Sequence, residues 1–152
     1  MKILLVFFVV LFSAHNLIAA SKNDALSRSQ KVLTTAMKAN NIRMRVAAEN
    51  MANSKTADYV PKSVEVRSKH DRKTNTTSVE VRNINRDKNK LVPTYDPSHP
   101  KADAKGMVNM PKIDPLLTMM NMQRARLDNE RAMKSYQMTT DMRHRTIKMM
   151  NQ

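Results

Sequence analysis

Cysteine and tryptophan are absent from this 152-residue chain, and glycine occurs once. The lack of cysteine excludes disulfides, thiolate metal sites, iron–sulfur clusters and thiol nucleophiles. One glycine is too few for the glycine-rich loops that cradle phosphates. Phe7, Phe8 and Phe12 are the only phenylalanines, so beyond residue 12 the aromatics are Tyr59, Tyr95 and Tyr136. A chain of this length holds one domain at most, and this one is short of bulky core residues. It carries 14 methionines. The composition argues against most catalytic designs and favours a chain that completes its core by association.

The N-terminus reads as a leader. Met1 and Lys2 precede ten unbroken apolar residues, Ile3 to Phe12, and Leu17-Ile18-Ala19-Ala20-Ser21 follows a short polar stretch. This is the pattern of a secretory signal peptide over residues 1–20, with cleavage after Ala20. Ile18 is bulkier than such sites prefer. A spanning helix needs about 20 apolar residues, and this run is shorter; an uncleaved anchor is the alternative.

All six prolines and the single glycine lie between Pro61 and Pro115. Chain breakers are thus confined to the middle, which predicts helices over residues 21–53 and 114–152 around an insert at 54–113. In the first flank Met37, Met44 and Met51 stand seven apart, with Leu26, Leu33, Asn40 and Ala47 as the partner column. Alternating steps of three and four are the seam of a coiled coil. Asn40 is the polar seam position: a register-fixing residue, or one near the helix surface. In the second flank Met119, Met133 and Ile147, and likewise Met122, Tyr136 and Met150, recur every fourteen residues, and Met138, Met142 and Met149 form a further apolar line. Asp114-Pro115 suits a helix start, Asp as N-cap and Pro at the first helical position. Methionine's unbranched side chain accepts several non-equivalent neighbours.

Within the insert, Ser63-Val64-Glu65-Val66-Arg67 recurs as Ser78-Val79-Glu80-Val81-Arg82. Both copies alternate apolar with charged residues and predict strands. The linker 68–77 turns the chain into an antiparallel hairpin, which is marginal alone and must lean on something. Leu91 to Pro111 reads as an extended, ordered loop. The fold class expected is mainly α: long terminal helices pairing as a coiled coil, with a small β-hairpin and loop insert between them.

The charge of +14 raises nucleic acid as a partner, because phosphate neutralisation drives such binding. The excess is spread, however: 7 basic against 3 acidic residues in 21–58, 12 against 6 in 59–113, and 7 against 4 in 114–152. No aromatic stacking platform accompanies it. Attraction to anionic lipid or cell wall is a side effect that net charge allows. His70, His99 and His144 fall in separate segments without metal-ligand spacing, and Asp96, Asp103 and Asp114 suit turns and caps. We expect no catalysis, no cofactor, no metal, no nucleic acid and no small-molecule substrate.

Two stretches resemble a known family. Arg43-Met44-Arg45-Val46-Ala47-Ala48-Glu49-Asn50-Met51-Ala52-Asn53 is similar to the N-terminal signature of bacterial flagellar rod and hook proteins, where Val-Ala-Ala follows an Arg and a Leu or Met and the helix ends in Asn-Leu-Ala-Asn. The stretch from Tyr95 to Pro111, with Asp96, Pro97, Pro100, Ala102, Asp103, Gly106 and Pro111, resembles the proximal rod family of FlgC type, which carries Tyr-x-Pro-x-x-Pro, then Ala-Asp-x-x-Gly-Tyr-Val and Pro-Asn-Val. The similarity runs from about residue 24 to the end. It implies paired terminal helices, copies stacked helically into a tube, and a structural subunit of the basal-body rod that transmits torque in the periplasm. Its partners would be itself and other rod proteins, with the membrane-ring base and surrounding periplasmic ring as further candidates. The expected assembly seam is Leu33, Met37, Met44, Ala47, Asn50, Met51 and Asn53 against Met119, Met122, Met133, Tyr136 and Ile147, within or between subunits. Asn50 and Asn53 are expected to end the first helix, Asn tolerating the left-handed cap conformation.

The chain departs from the family at Met107, where Tyr is usual. It departs again at Arg126-Leu127, Asn129 and Ala132, where the family has Ser-Arg, Tyr and Asn. The leader is a third departure, because rod proteins of this family leave through the flagellar type III route without a cleaved signal. The family's usual start aligns near Asp24, where no methionine stands. A degenerate periplasmic relative that no longer builds a flagellum is the alternative function.

Overall fold

Freedom from proline and glycine at both ends sets the architecture. A computed structural model describes residues 2–150, with side chains from residue 25 onward. Helix α1 (Lys2–Ala52) spans 51 residues, about 77 Å at 1.5 Å per residue. Helix α2 (Pro115–Met150) spans 36, about 54 Å. Helix α1 continues N-terminally past the start expected at residue 21, since nothing at Ser21-Lys22-Asn23 breaks it. The leader reading rests on side chains that lie outside the described residues. Asp114 Oδ1 accepts the amide of Leu117 at 3.1 Å, the N-cap geometry that Asp114-Pro115 suggests.

Between the helices lie two antiparallel ribbons. The first joins β1 (Lys62–Asp71) and β2 (Thr76–Arg86). Its strands outrun the repeated pentapeptides, and the turn shrinks to residues 72–75, with Asn75 at φ 49°. Val66 pairs Val81 and Val64 pairs Ile84, with a register shift at Glu65/Val66. The bulge has a sequence cause. Alternation carries Val79 and Val81 on one face but then reaches Asn83. One extra residue returns Ile84 to the apolar face, because each one-residue slip flips side chains across a sheet. The other face is charged: Arg82 pairs with Glu65 at 2.9 Å, and Arg67 and Lys69 with Glu80 at 2.9 and 3.4 Å.

The second ribbon corrects the reading of residues 91–111 as a loop. Strands β3 (Leu91–Tyr95) and β4 (Met107–Pro111) pair from Leu91↔Pro111 to Tyr95↔Met107. Proline-rich sequence concealed them. Pro93 is tolerated in a two-stranded ribbon, where every strand is an edge.

Helix α1 carries two interleaved apolar stripes roughly 100° apart. Val32, Thr35, Ala39, Ile42 and Val46 face the first ribbon across two clefts that also touch Val79, Val81 and Ile84. The stripe beginning at Leu33 lies on the side of Gln30, whose amide reaches Thr140 of α2. The packed interior is small. Among the described residues the buried apolar side chains are Ala39, Val46, Ala57, Val108, Ala125 and Ala132, with Pro61 and Pro111. Nothing larger than valine or proline is buried, while Leu and Met side chains of α2 stand in solvent. No described helix is long and apolar enough to cross a membrane.

Candidate assembly surface

The helix seam has a definable register. Asp58 N–H donates to the carbonyl of Asn109 at 2.8 Å, bringing the end of α1 beside the approach to α2, so the helices run antiparallel. Gln30 Nε2 donates to Thr140 Oγ1 at 3.0 Å. Following both helices from that bond aligns Leu33 with Tyr136, Met37 with Ala132, Asn40 with Asn129, Met44 with Ala125, Ala47 with Met122, and Met51 with Thr118. Large side chains oppose small ones in four of these six layers, Met37, Met44, Met51 and Met122 against Ala132, Ala125, Thr118 and Ala47, which lets two helices approach closely. Burial agrees: Ala125 is 3% exposed and Ala132 8%.

Asn40, 6% exposed, is interior and not a surface residue. Its Oδ1 accepts from Arg43 Nη1 at 3.3 Å. Asn129 Oδ1 in the same layer is buried and accepts no hydrogen bond. A polar layer inside an apolar seam marks register at a cost in stability.

The expected seam residues of α2 divide. Met122 and Tyr136 are partly buried on the α1 side. Met119, Met133 and Ile147 are exposed, so within one chain they are unpacked and the small residues Ala125 and Ala132 take the contact. A sequence search for bulky apolar repeats passes over alanine; the signal available was its seven-residue spacing with Thr118. On α1, Leu33, Met37, Met44, Ala47 and Met51 are all partly buried.

Asn53 caps the end of α1 without the left-handed conformation expected of it, and Asn50 serves another purpose. Positive φ among non-glycine residues occurs at Asp58 and Asn75, so neither Asn50 nor Asn53 is left-handed. Asn53 Nδ2 instead donates to the Glu49 carbonyl at 2.8 Å, satisfying a last-turn acceptor. Asn50 ties the helix to the ribbon. Its Nδ2 donates to the Lys62 carbonyl at 2.7 Å, and its Oδ1 accepts from Lys62 N at 3.0 Å and Tyr59 Oη at 2.9 Å. Glu49 pairs with Lys62 alongside. Burial first, then the Glu49 carboxylate, raises the Tyr59 pKa, with Arg86 opposing, which keeps the phenol a donor.

The stretch from Asp96 to Gly106 closes the second ribbon. Asp96 N donates to the Gly106 carbonyl at 2.9 Å, and Gly106 N to the Asp103 carbonyl at 2.9 Å. Asp103 Oδ1 gathers the amides of Lys105 and Met107, each at 2.8 Å. Gly106 sits at φ 72°, and a Cβ there would stand 2.9 Å from Tyr95 Cε2 and 3.1 Å from Pro97 Cβ. Lys101 reaches back to the α1 end, 3.3 Å from the Ala57 carbonyl and 3.5 Å from Asp58. Asp96, Pro97, Pro100, Ala102, Asp103, Gly106 and Pro111 therefore belong to one turn and the strands it joins. Met107 lies opposite Tyr95 in the ladder.

His70 lies near the tip of the first ribbon, 3.2 Å from Thr77 Oγ1. His99 accepts the amide of Lys101 at 3.0 Å, and His144 is exposed on α2. Among the described residues no three His, Asp or Glu side chains could hold a metal ion. Three partly exposed carboxyls have pKa values below their usual range. Glu65 is lowered by hydrogen bonds from Asn85 and Arg82, Glu80 by Arg67 and then Lys69, and Asp71 by the amide of Lys73 and the hydroxyl of Thr74. These are features of a charged ribbon surface.

No protein-family model matches the chain. Among proteins of known function, the chain is 29% identical over 131 residues to the flagellar basal-body rod protein FlgC of Agrobacterium fabrum (strain C58 / ATCC 33970), covering 82% of this chain and 94% of that protein. The chain resembles a FlgC-type rod protein over nearly the whole length of that relative.

Proposed function

We propose that this chain, similar along most of its length to a FlgC-type flagellar rod protein, is a structural subunit of the basal-body rod. Its terminal helices would pair as a coiled coil and polymerise with other copies and other rod proteins, transmitting torque mechanically and without chemistry. The observation that carries the reading is the mismatch between buried and exposed apolar side chains. The interior stops at valine, while Met119, Met133 and Ile147 stand exposed along α2. A subunit that finishes its core against neighbours by head-to-tail, non-closing contacts forms a filament. On this reading Met119, Met133 and Ile147 meet a neighbouring copy, and the Asp96–Gly106 turn is a rigid spacer on the outer side of the helix pair.

The test is genetic and structural together. Deletion of the gene should abolish basal bodies in electron micrographs, and the wild-type chain should restore them. Met44→Asp, which places a charge in the seam opposite Ala125, should fail to restore them. Basal bodies in the deletion strain, or normal motility with Met44→Asp, would refute the proposal. The leader suggests export to the periplasm with removal of residues 1–20; mass spectrometry of native protein should find Ser21 as its first residue.

A further inference from the structure

Helix α2 has a second side that the α1 seam does not use. At about 100° per residue, the seam residues Met122, Ala125, Asn129, Ala132 and Tyr136 mark the α1-facing direction. A wedge of roughly 100° turned away from it carries Leu116, Leu127, Met138 and Met149 at intervals of eleven residues, with Met120 and Met142 beside them. All six are 51–70% exposed. An eleven-residue repeat drifts by only about 20° per interval on a helix of 3.6 residues per turn, so the stripe winds slowly over about 50 Å. The same wedge holds Arg124, Arg131, Lys134 and Arg145, with the carboxylates of Asp141 and Asp128 at its two edges. Arg131 pairs with Asp128 at 3.3 Å; the other three form no ion pair among the described residues.

We propose that this wedge docks onto an anionic phospholipid surface. Charge selects the occupant. Two copies apposed through it would bring eight cations together against only the Asp128 and Asp141 carboxylates at the edges, a positive excess that disfavours self-pairing. Nucleic acid would satisfy the cations but leave the leucines and methionines in water, and no aromatic side chain offers stacking there. A lipid interface takes both components: Leu and Met enter the headgroup–acyl boundary, while Arg and Lys extend along the apolar surface to reach phosphates. The proposal is independent of the rod reading and stands or falls without reference to motility.

The absence of tryptophan makes the test direct. Leu127→Trp introduces a single indole in the middle of the wedge of the full chain. Vesicles rich in phosphatidylglycerol should shift its emission to the blue and shield it from acrylamide, and pure phosphatidylcholine vesicles should not. In that background Arg131→Gln with Lys134→Gln should weaken binding about thirtyfold, at about 1 kcal/mol per basic residue near an anionic surface. Lys88→Gln with Lys90→Gln, an equal charge change on the ribbon side, should weaken it less than threefold. All variants keep residues 1–20, so binding through the apolar leader alone would leave the indole in water and overturn the proposal. An indole already shielded without vesicles, meaning a second copy covers the wedge, would also overturn it. So would equal losses in the two charge variants.

Discussion

If the helix seam is layered as aligned above, exchanging a large and a small residue across one layer should be tolerated where each change alone is not. Met44 is partly buried and stands opposite Ala125, which is 3% exposed. Met44→Ala removes three heavy atoms. Full burial would set the cost at about 2–5 kcal/mol; partial exposure brings it to about 1–2. Ala125→Leu forces three heavy atoms into a contact made for a methyl group, at about 1–3 kcal/mol. If the two residues do not touch, the double variant loses the sum. If they share a layer, the leucine fills the space the methionine vacates and about 1–2 kcal/mol returns as coupling. Urea unfolding followed by circular dichroism at 222 nm gives all four corners of the cycle. Met37→Ala combined with Ala125→Leu, one heptad out of layer, is the control and should be additive. Additivity in the Met44 cycle, or equal coupling in the control, would refute the register.

Asn129→Leu should raise the unfolding free energy by about 1 kcal/mol, because it removes a buried acceptor with no donor; a fall would mean that Asn129 makes a bond to Asn40 in solution. Gly106→Ala should cost at least 1 kcal/mol, from its φ of 72° and the approach to Tyr95 and Pro97, and an unchanged midpoint would contradict that turn. Asn50→Ala should cost about 2–3 kcal/mol by stranding Tyr59 Oη and both main-chain groups of Lys62, read as faster amide exchange in β1. The depressed carboxyls make an acid prediction with a definite sign. A lowered folded-state pKa contributes stability that is present above the unfolded value and lost as pH falls through the folded one. The first ribbon should therefore loosen as pH drops below the usual glutamate value of 4.5. Glu65→Gln with Glu80→Gln should flatten that dependence in an acid titration followed by amide exchange of β1 and β2.

Sequence alone reached as far as local rules carry. Confinement of all six prolines and the glycine to the middle located two helices, because breakers act on their own backbone. Alternating Val-Glu-Val predicted the first ribbon for the same reason. The seven-residue columns of α1 marked a stripe of buried and half-buried residues, and Asp114 marked the start of the second helix. Tertiary structure decided what depends on two distant segments at once. Proline-rich residues 91–111 became a second ribbon because β3 and β4 found each other. The bulge at Glu65/Val66 answers a break in alternation on the opposite strand. Ala125 and Ala132 became the seam of α2 because close helix approach rewards small side chains opposite methionine, and neither residue announces that in a search for bulk. Asn50 resembled a helix cap by position, but its partners lie nine and twelve residues on. Local composition determines which elements form; which faces meet is decided by shape and charge across the gap between them.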